Sequence, residues 1–193
     1  MPNGPYKVSN ISHITIMPSA EKIELPRGKI LLCGCGCSET MPRCDGKHDT
    51  CGFISEKSDD RVPTRDKDYY GSDITVHFDL AVCAHVAVCV KQLRSVFNTK
   101  KRPWIDPNEG SSKDIVNIVK ACPSGALSYT LKEQERVDSF DSKIEIIYNE
   151  NGPFEIWGGV ALKGCEAPKV ADHYTLCSCG KSKNHPYCDG EHI

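Results

Sequence analysis

The chain has 193 residues, a formal charge of −2 and 39% hydrophobic residues, which suits one or two globular domains and gives no electrostatic reason to bind nucleic acid. Its twelve cysteines cluster at metal-ligand spacing in a long chain, which excludes a small secreted disulfide scaffold and points to a reducing compartment. The longest apolar run, 78–90, is too short for a membrane span and is broken by Asp79 and His85, and no basic–apolar–small leader opens the chain, so a soluble, cytoplasmic protein with no membrane association is expected.

Residues 1–54 begin as short strands at 6–8, 13–17 and 29–32, with Ile14 and Ile16 alternating against Thr15, the pattern of half-buried sheet. The last strand feeds Cys33-Gly34-Cys35 and, eight residues later, Cys44-Asp45-Gly46-Lys47-His48. Residues 55–70 carry mixed charges around Pro63 and read as a solvated linker. Residues 71–131 form a separate unit. It holds a strand at 73–79, Cys83 and Cys89 with five residues between them, a helical stretch at 90–97, a turn-rich connector through Pro103-Trp104-Ile105, and a helix opened by Ser111. On that helix Ile115, Ile118 and Val119 recur at core spacing, and Cys122-Pro123-Ser124-Gly125 leads into a returning strand at 128–131. Residues 132–142 are a second charged linker. In 143–193, strands at 143–148 and 153–160 form a hairpin closed by Asn149-Glu150-Asn151-Gly152, and 174–176 leads into the last cysteine loop.

That last loop repeats the first: Cys177-Ser178-Cys179, eight residues, then Cys188-Asp189-Gly190-Glu191-His192. Three thiolates and one imidazole are a tetrahedral set suited to zinc or an iron–sulfur cluster. Cys188 and His192, four apart, share one face of a helical turn, and Asp189-Gly190 suits the entry to it. Cys33-Gly34-Cys35-Gly36-Cys37 offers two Cys-x-Cys pairs, and only Cys33/Cys35 aligns with Cys177/Cys179, with Ser38 and Pro42 in register with Ser182 and Pro186. Upstream, Asn3-Gly4-Pro5-Tyr6 matches Asn151-Gly152-Pro153-Phe154.

Both loops resemble the CDGSH motif of the mitoNEET-like iron–sulfur family at every fixed position. The resemblance implies that Cys33, Cys35, Cys44 and His48 hold one [2Fe–2S] cluster and that Cys177, Cys179, Cys188 and His192 hold another. It also implies a β-rich fold in which two cluster-bearing halves pair about a pseudo-twofold axis. Here both halves lie in one chain, so a monomer with an internal pseudo-dimer is expected, because each half alone has too little apolar surface to be stable. Lys47 and Glu191 beside the histidines carry opposite charges, which points to unequal potentials. The chain ends one residue after His192, so the C-terminal site is expected to lack a closing segment and to be the looser one.

The Cys122-Pro123 ending is a ferredoxin signature. Cys83 and Cys89 fit the usual cluster run with its middle ligand replaced by Val86. The stretch from about 70 to 131 resembles the divergent mono-cluster ferredoxin domain in its Cys83-Ala84-His85 run, Phe97, Pro103-Trp104-Ile105 and the segment from Cys122 to Leu127. Cys83, Cys89 and Cys122 are three secure thiolates, which favours a [3Fe–4S] cluster over a [4Fe–4S] cluster. His85 is a possible fourth ligand, or else a histidine of the loop that does not coordinate. The expected fold is α+β, a pseudo-twofold CDGSH module with an inserted ferredoxin-like domain.

An imidazole in place of a thiolate raises a cluster's potential and couples it to a proton, and protonation of that nitrogen makes the cluster acid-labile. Three such centres favour electron transfer with redox partner proteins, and the alternative is cluster transfer to apo-acceptor proteins or redox sensing. Zinc competes as occupant of the Cys3His sets. No nucleophile–base arrangement, phosphate loop or nucleotide fingerprint is present, so no catalytic residues and no enzyme are expected. Cys37, Cys51 and Cys165 are left over as small buried residues or spare thiols.

Overall fold

Alternating apolar residues in short runs produce a strand-dominated chain. The computed structural model describes residues 3–25, 28–132 and 134–193, so residues 26–27 of the first half and Glu133 of the second linker lie outside it. Among the described residues the order is β1 (Tyr6–Ser9), β2 (His13–Met17), β3 (Glu21–Glu24), β4 (Lys29–Leu32), β5 (Asp66–Tyr70), β6 (Ile74–Asp79), α1 (Val88–Gln92), α2 (Ser112–Lys120), β7 (Leu127–Leu131), β8 (Arg136–Val137), β9 (Glu145–Asn149), β10 (Phe154–Trp157) and β11 (His173–Leu176). The class is α+β. No helix among the described residues is long and apolar enough to cross a membrane.

The two ends of the chain interlock. β1 and β4 pair antiparallel with Tyr6 opposite Leu32 and Ser9 opposite Lys29, and β10 and β11 repeat that ribbon with Phe154 opposite Leu176 and Trp157 opposite His173. The hairpin β2–β3 leaves its own half and joins the other: β2 runs parallel to β9, giving a five-stranded sheet in the order β11-β10-β9-β2-β3. A single core results, in which Val8, Ile14, Ile30 and Leu32 pack with Ile146, Phe154, Ile156 and Leu176. Burial of each such side chain is worth about 1.5–3 kcal/mol, and it is obtained only when the halves are together.

The middle unit has its own core. A four-stranded sheet, β5-β6-β7-β8, is antiparallel throughout and packs against α2 through Ile115, Ile118 and Val119. Ser111 caps α2, its Oγ accepting from the Asp114 amide at 3.1 Å. Three expectations shift, one of them at 132–142, where Arg136–Val137 is strand β8 and not linker. The charged stretch at 66–70 is an edge strand and not linker, with Tyr69 its one buried residue; charges on an edge strand deter pairing with another chain. The helical stretch expected at 90–97 is shorter and begins earlier, because the chain turns after Gln92 to bury Val96 and Phe97, the latter bridged to Ile105.

The middle unit docks on the C-terminal half. Lys169 pairs with Asp66 and, at 2.7 Å, with the fully buried Asp79. Asn184 Nδ2 donates to the Ala81 carbonyl at 2.9 Å, Ser58 N donates to the Lys183 carbonyl at 2.8 Å, and Asp172 accepts from the Phe140 and Ser142 amides.

Candidate metal centres

The two Cys-x-Cys loops are built identically. In the first, the Cys33 amide donates to Pro42 O at 3.0 Å and the Cys44 amide to Leu31 O at 2.9 Å; in the second, Cys177 donates to Pro186 O at 2.8 Å and Cys188 to Thr175 O at 3.1 Å. Ser38 Oγ closes on Arg43 O and Ser182 Oγ on Tyr187 O, both at 2.6 Å. Asp45 accepts from the Glu39 and Lys47 amides, and Asp189 from the Lys183 and Glu191 amides. Gly46 and Gly190 both sit at φ 92°, which a side chain rarely adopts. These bonds explain the fixed Ser, Asp and Gly of the motif: they shape the loop that presents the donors.

In each loop the four donors form two pairs. Cys33 and Cys35 sulfurs lie 3.5 Å apart and Cys44 Sγ lies 3.3 Å from His48 Nδ1; in the second loop the distances are 3.7 Å and 3.4 Å. A single tetrahedral zinc would draw three sulfurs and one nitrogen to within about 3.8 Å of one another. Among the described residues, the only three such donors within 4.8 Å of one another are Cys35, Cys37 and Cys51. Burial pushes the Cys188 thiol up to about 12 and also raises Cys35. Burial lowers His192, and nearby His85 lowers it further. Cys179, hydrogen-bonded to Cys177, is drawn down to about 6 while Cys177 moves up. Buried thiols and a neutral imidazole facing each other suit a cationic centre that displaces the thiol protons.

The loops meet back to back. Cys35 and Cys179 form an antiparallel bridge, and Gly36 (φ 73°) and Gly180 (φ 71°) lie against each other's loop. A methyl on Gly36 would fall 2.4 Å from Cys179 O, and one on Gly180 would fall 2.2 Å from Cys35 O. Tyr6 of the first half donates to Cys177 O at 2.9 Å and lies 2.9 Å from His185 Nε2.

The third set lies in the middle unit. Cys83, Cys89 and Cys122 line one pocket with His85, Val86, Ala87 and Ser124, floored by Phe78 and Leu127. Burial pushes Cys83 up to about 12 and Cys89 up to about 11. His85 (φ 53°) and Ala87 (φ 64°) are left-handed non-glycine residues, in the kind of tight loop whose amide groups cradle anionic clusters. The His85 ring also reaches the second loop: a methyl on Gly190 would fall 2.1 Å from His85 Nδ1. The expectation of a looser C-terminal site is therefore overturned. Cys188 is 3% exposed whereas Cys44 is half-buried, because the middle unit supplies the closing surface.

Cys37 and Cys51 form a disulfide, which corrects their reading as spare thiols, while Cys165 is free and exposed. The pairing, the Cys35–Cys179 contact and the His85–Gly190 contact were not read from sequence. Position 181 offered one signal, since it matches Cys37 but holds Lys.

Thiolate-rich sets of this kind, two of them completed by an imidazole, mark an iron–sulfur or zinc-binding protein. The family model described as "Iron-binding zinc finger CDGSH type" matches residues 3–49 and 151–193, and the one described as "Divergent 4Fe-4S mono-cluster" matches residues 69–132. The chain carries two CDGSH iron-binding segments with a divergent iron–sulfur mono-cluster domain between them, and it is an iron–sulfur protein. It is similar to "Uncharacterized protein YjdI" of Escherichia coli strain K12 and of Escherichia coli O157:H7, each 42% identical over 64 residues that span 33% of this chain and 84% of the relative. No solved structure matches it.

Proposed function

We propose that the protein is an electron carrier of the reducing cytoplasm with three iron–sulfur centres and no catalytic role. On this reading Cys33, Cys35, Cys44 and His48 hold one [2Fe–2S] cluster, and Cys177, Cys179, Cys188 and His192 hold a second. Cys83, Cys89 and Cys122 hold a [3Fe–4S] or [4Fe–4S] cluster, with His85 the candidate fourth ligand of the latter. The two-pair arrangement of donors in each Cys3His loop supports a two-iron centre over one zinc ion. Bound clusters would supply one-electron redox centres.

The observation that carries the proposal is a chain of contacts linking the three donor-bearing loops. Cys35 and Cys179, each assigned as a ligand, touch through their backbones, and His85 lines the central pocket while resting on Gly190, between Cys188 and His192. The chain thus offers a continuous path from the middle unit to the second loop and on to the first. The test is redox titration followed by electron paramagnetic resonance. All centres should reduce reversibly, and the potentials of the two Cys3His sites should fall as pH rises. Colourless protein with one zinc per loop, or pH-independent potentials, would contradict the proposal.

A second reading, cluster transfer or redox sensing with apo-acceptor proteins, is favoured by one observation: the first loop is open to solvent around Cys44 and His48. It predicts that His48→Cys slows transfer to an apo-ferredoxin, and absence of transfer from the unmodified protein would remove it.

A further inference from the structure

We propose that Cys37–Cys51 is a thiol–disulfide exchange site, reduced by a dithiol, whose state governs how firmly the first site holds its metal centre. The inference rests on the reading of Cys33, Cys35, Cys44 and His48 as cluster ligands. The disulfide joins the residue two after Cys35 to the residue three after His48, so it staples together the two arms that carry those donors. Each end is tied to an arm. The Cys37 amide donates to Cys35 Sγ at 3.4 Å, and the Cys51 amide donates to Lys47 O at 3.0 Å, closing the turn that carries His48. The sulfurs of Cys35, Cys37 and Cys51 lie within 4.8 Å of one another.

The pair is placed for exchange and not for concealment. Cys51 is exposed and Cys37 half-buried, whereas permanent structural disulfides belong to oxidising compartments. In a chain whose other cysteines must stay reduced to bind metal, an exposed disulfide is of the labile, regulatory kind. The second loop has Lys181 at the position of Cys37 and no such pair, so the device acts on one site only.

The chemistry balances with a dithiol as reductant. Its thiolate attacks the exposed Cys51 sulfur, the S–S bond breaks, and Cys37 leaves as a thiolate that takes up a proton. The second thiolate of the reductant then displaces Cys51 from the mixed disulfide and Cys51 is protonated. The reductant departs as an intramolecular disulfide, and two electrons and two protons have entered the protein. The turn carrying His48 is then no longer stapled to the Cys35 loop.

The test uses the full chain loaded with iron and sulfide. Alkylation and mass spectrometry should find Cys37 and Cys51 blocked as isolated and both labelled after dithiothreitol, with a two-electron slope in dithiothreitol redox buffers. Iron release to a chelator should gain a fast phase from one cluster, at least about tenfold faster after reduction. The Cys37→Ser/Cys51→Ser double variant should show that fast phase with or without dithiothreitol. Free alkylation of both cysteines without reductant, or unchanged iron release once the pair is reduced, would overturn the inference. Those outcomes in iron-loaded protein leave the cluster reading standing, whereas protein without iron or sulfide would sink that reading instead.

Discussion

The two Cys3His loops share one backbone scaffold and occupy opposite surroundings. At matched positions Ser38, Thr40, Arg43 and Gly46 are exposed or half-exposed while Ser182, Asn184, Tyr187 and Gly190 are buried. The covering comes from outside the repeat. Asn184 bonds the middle unit through Ala81 O, Tyr187 Oη donates to Glu166 O at 2.6 Å, and His85 lies on Gly190. The repeat therefore dictates donor geometry, while the inserted unit decides which site meets water. Since solvent exposure and hydrogen bonds to sulfur tune cluster potentials, clusters bound as proposed would sit in two chemically distinct sites.

The largest effect is expected where the loops are not distinct at all, at their contact. Gly36→Ala and Gly180→Ala each place a methyl within 2.4 Å of the opposite backbone, at φ 73° and 71°. Neither backbone can yield without breaking the Cys35–Cys179 bridge. Each change should cost more than about 4 kcal/mol and lower the thermal midpoint, and each should bleach both Cys3His sites together in the visible spectrum. Selective loss of one site would show that the loops do not depend on each other.

Gly46→Ala and Gly190→Ala come next and isolate the effect of the insert. Both positions have φ 92°, so each substitution carries the same left-handed strain of about 1–2 kcal/mol. Gly46 has nothing within 4 Å of the added methyl, whereas Gly190 faces His85 at 2.1 Å. Gly190→Ala should therefore lower the thermal midpoint further and also alter the resonance spectrum of the cluster proposed for the central pocket. Adding His85→Ala to Gly190→Ala should recover the difference, as a double-mutant cycle would register. Equal effects at the two glycines would mean the middle unit does not bear on the second loop.

The grouping of the cysteine and histidine side chains in each loop was legible because spacing encodes it: Cys-x-Cys, eight residues, Cys-Asp-Gly-x-His places side chains by local turns alone. The strands at 13–17 and 29–32 were legible for the same reason, since alternation is local. The crossing of β2 to β9 and the covering of Gly190 by His85 depend on residues more than 100 positions apart, whereas the edge strand in 66–70 pairs with β6 only 5 to 13 residues on. A charged edge strand reads as linker because its exposed polar residues carry no apolar alternation. Cys37 and Cys51 flank Cys44 and His48 in sequence, yet their pairing depends on the path of the turn carrying His48.

A smaller effect concerns pH. The second loop holds His185 where the first has Met41. His185 is 5% exposed, stacked on Tyr6 and edge-on to Phe53. Burial lowers its imidazole to about 4. The unfolded chain takes up this proton near pH 6.5 and the folded protein only near pH 4, so the stability it lends is present above pH 6.5 and lost as pH falls to 4, amounting to about 3 kcal/mol at most. His185→Gln should flatten the fall in thermal midpoint between pH 7 and 5 relative to the unmodified protein. An unchanged pH slope would place the acid sensitivity at the histidine donors alone.

The smallest expected effect is the charge beside each histidine. Lys47 and Glu191 occupy equivalent positions, as do Glu39 and Lys183, so the repeat inverts its charges. Lys47 is paired with Glu39 in the first loop, while Lys183 turns to Asp60 at 2.6 Å and leaves Glu191 outside that pair. A positive charge favours the reduced, more negative state of a nearby cluster. Lys47→Glu should therefore lower the potential of the first site, and Glu191→Lys should raise that of the second. Both charges are solvent-facing, so the shifts should shrink as ionic strength rises. Potentiometric titration at low and high salt separates this contribution from burial. If the double exchange Lys47→Glu/Glu191→Lys leaves the gap between the two potentials unchanged at low salt, then the difference between the sites arises from the cover supplied by the middle unit and not from the charges of the repeat.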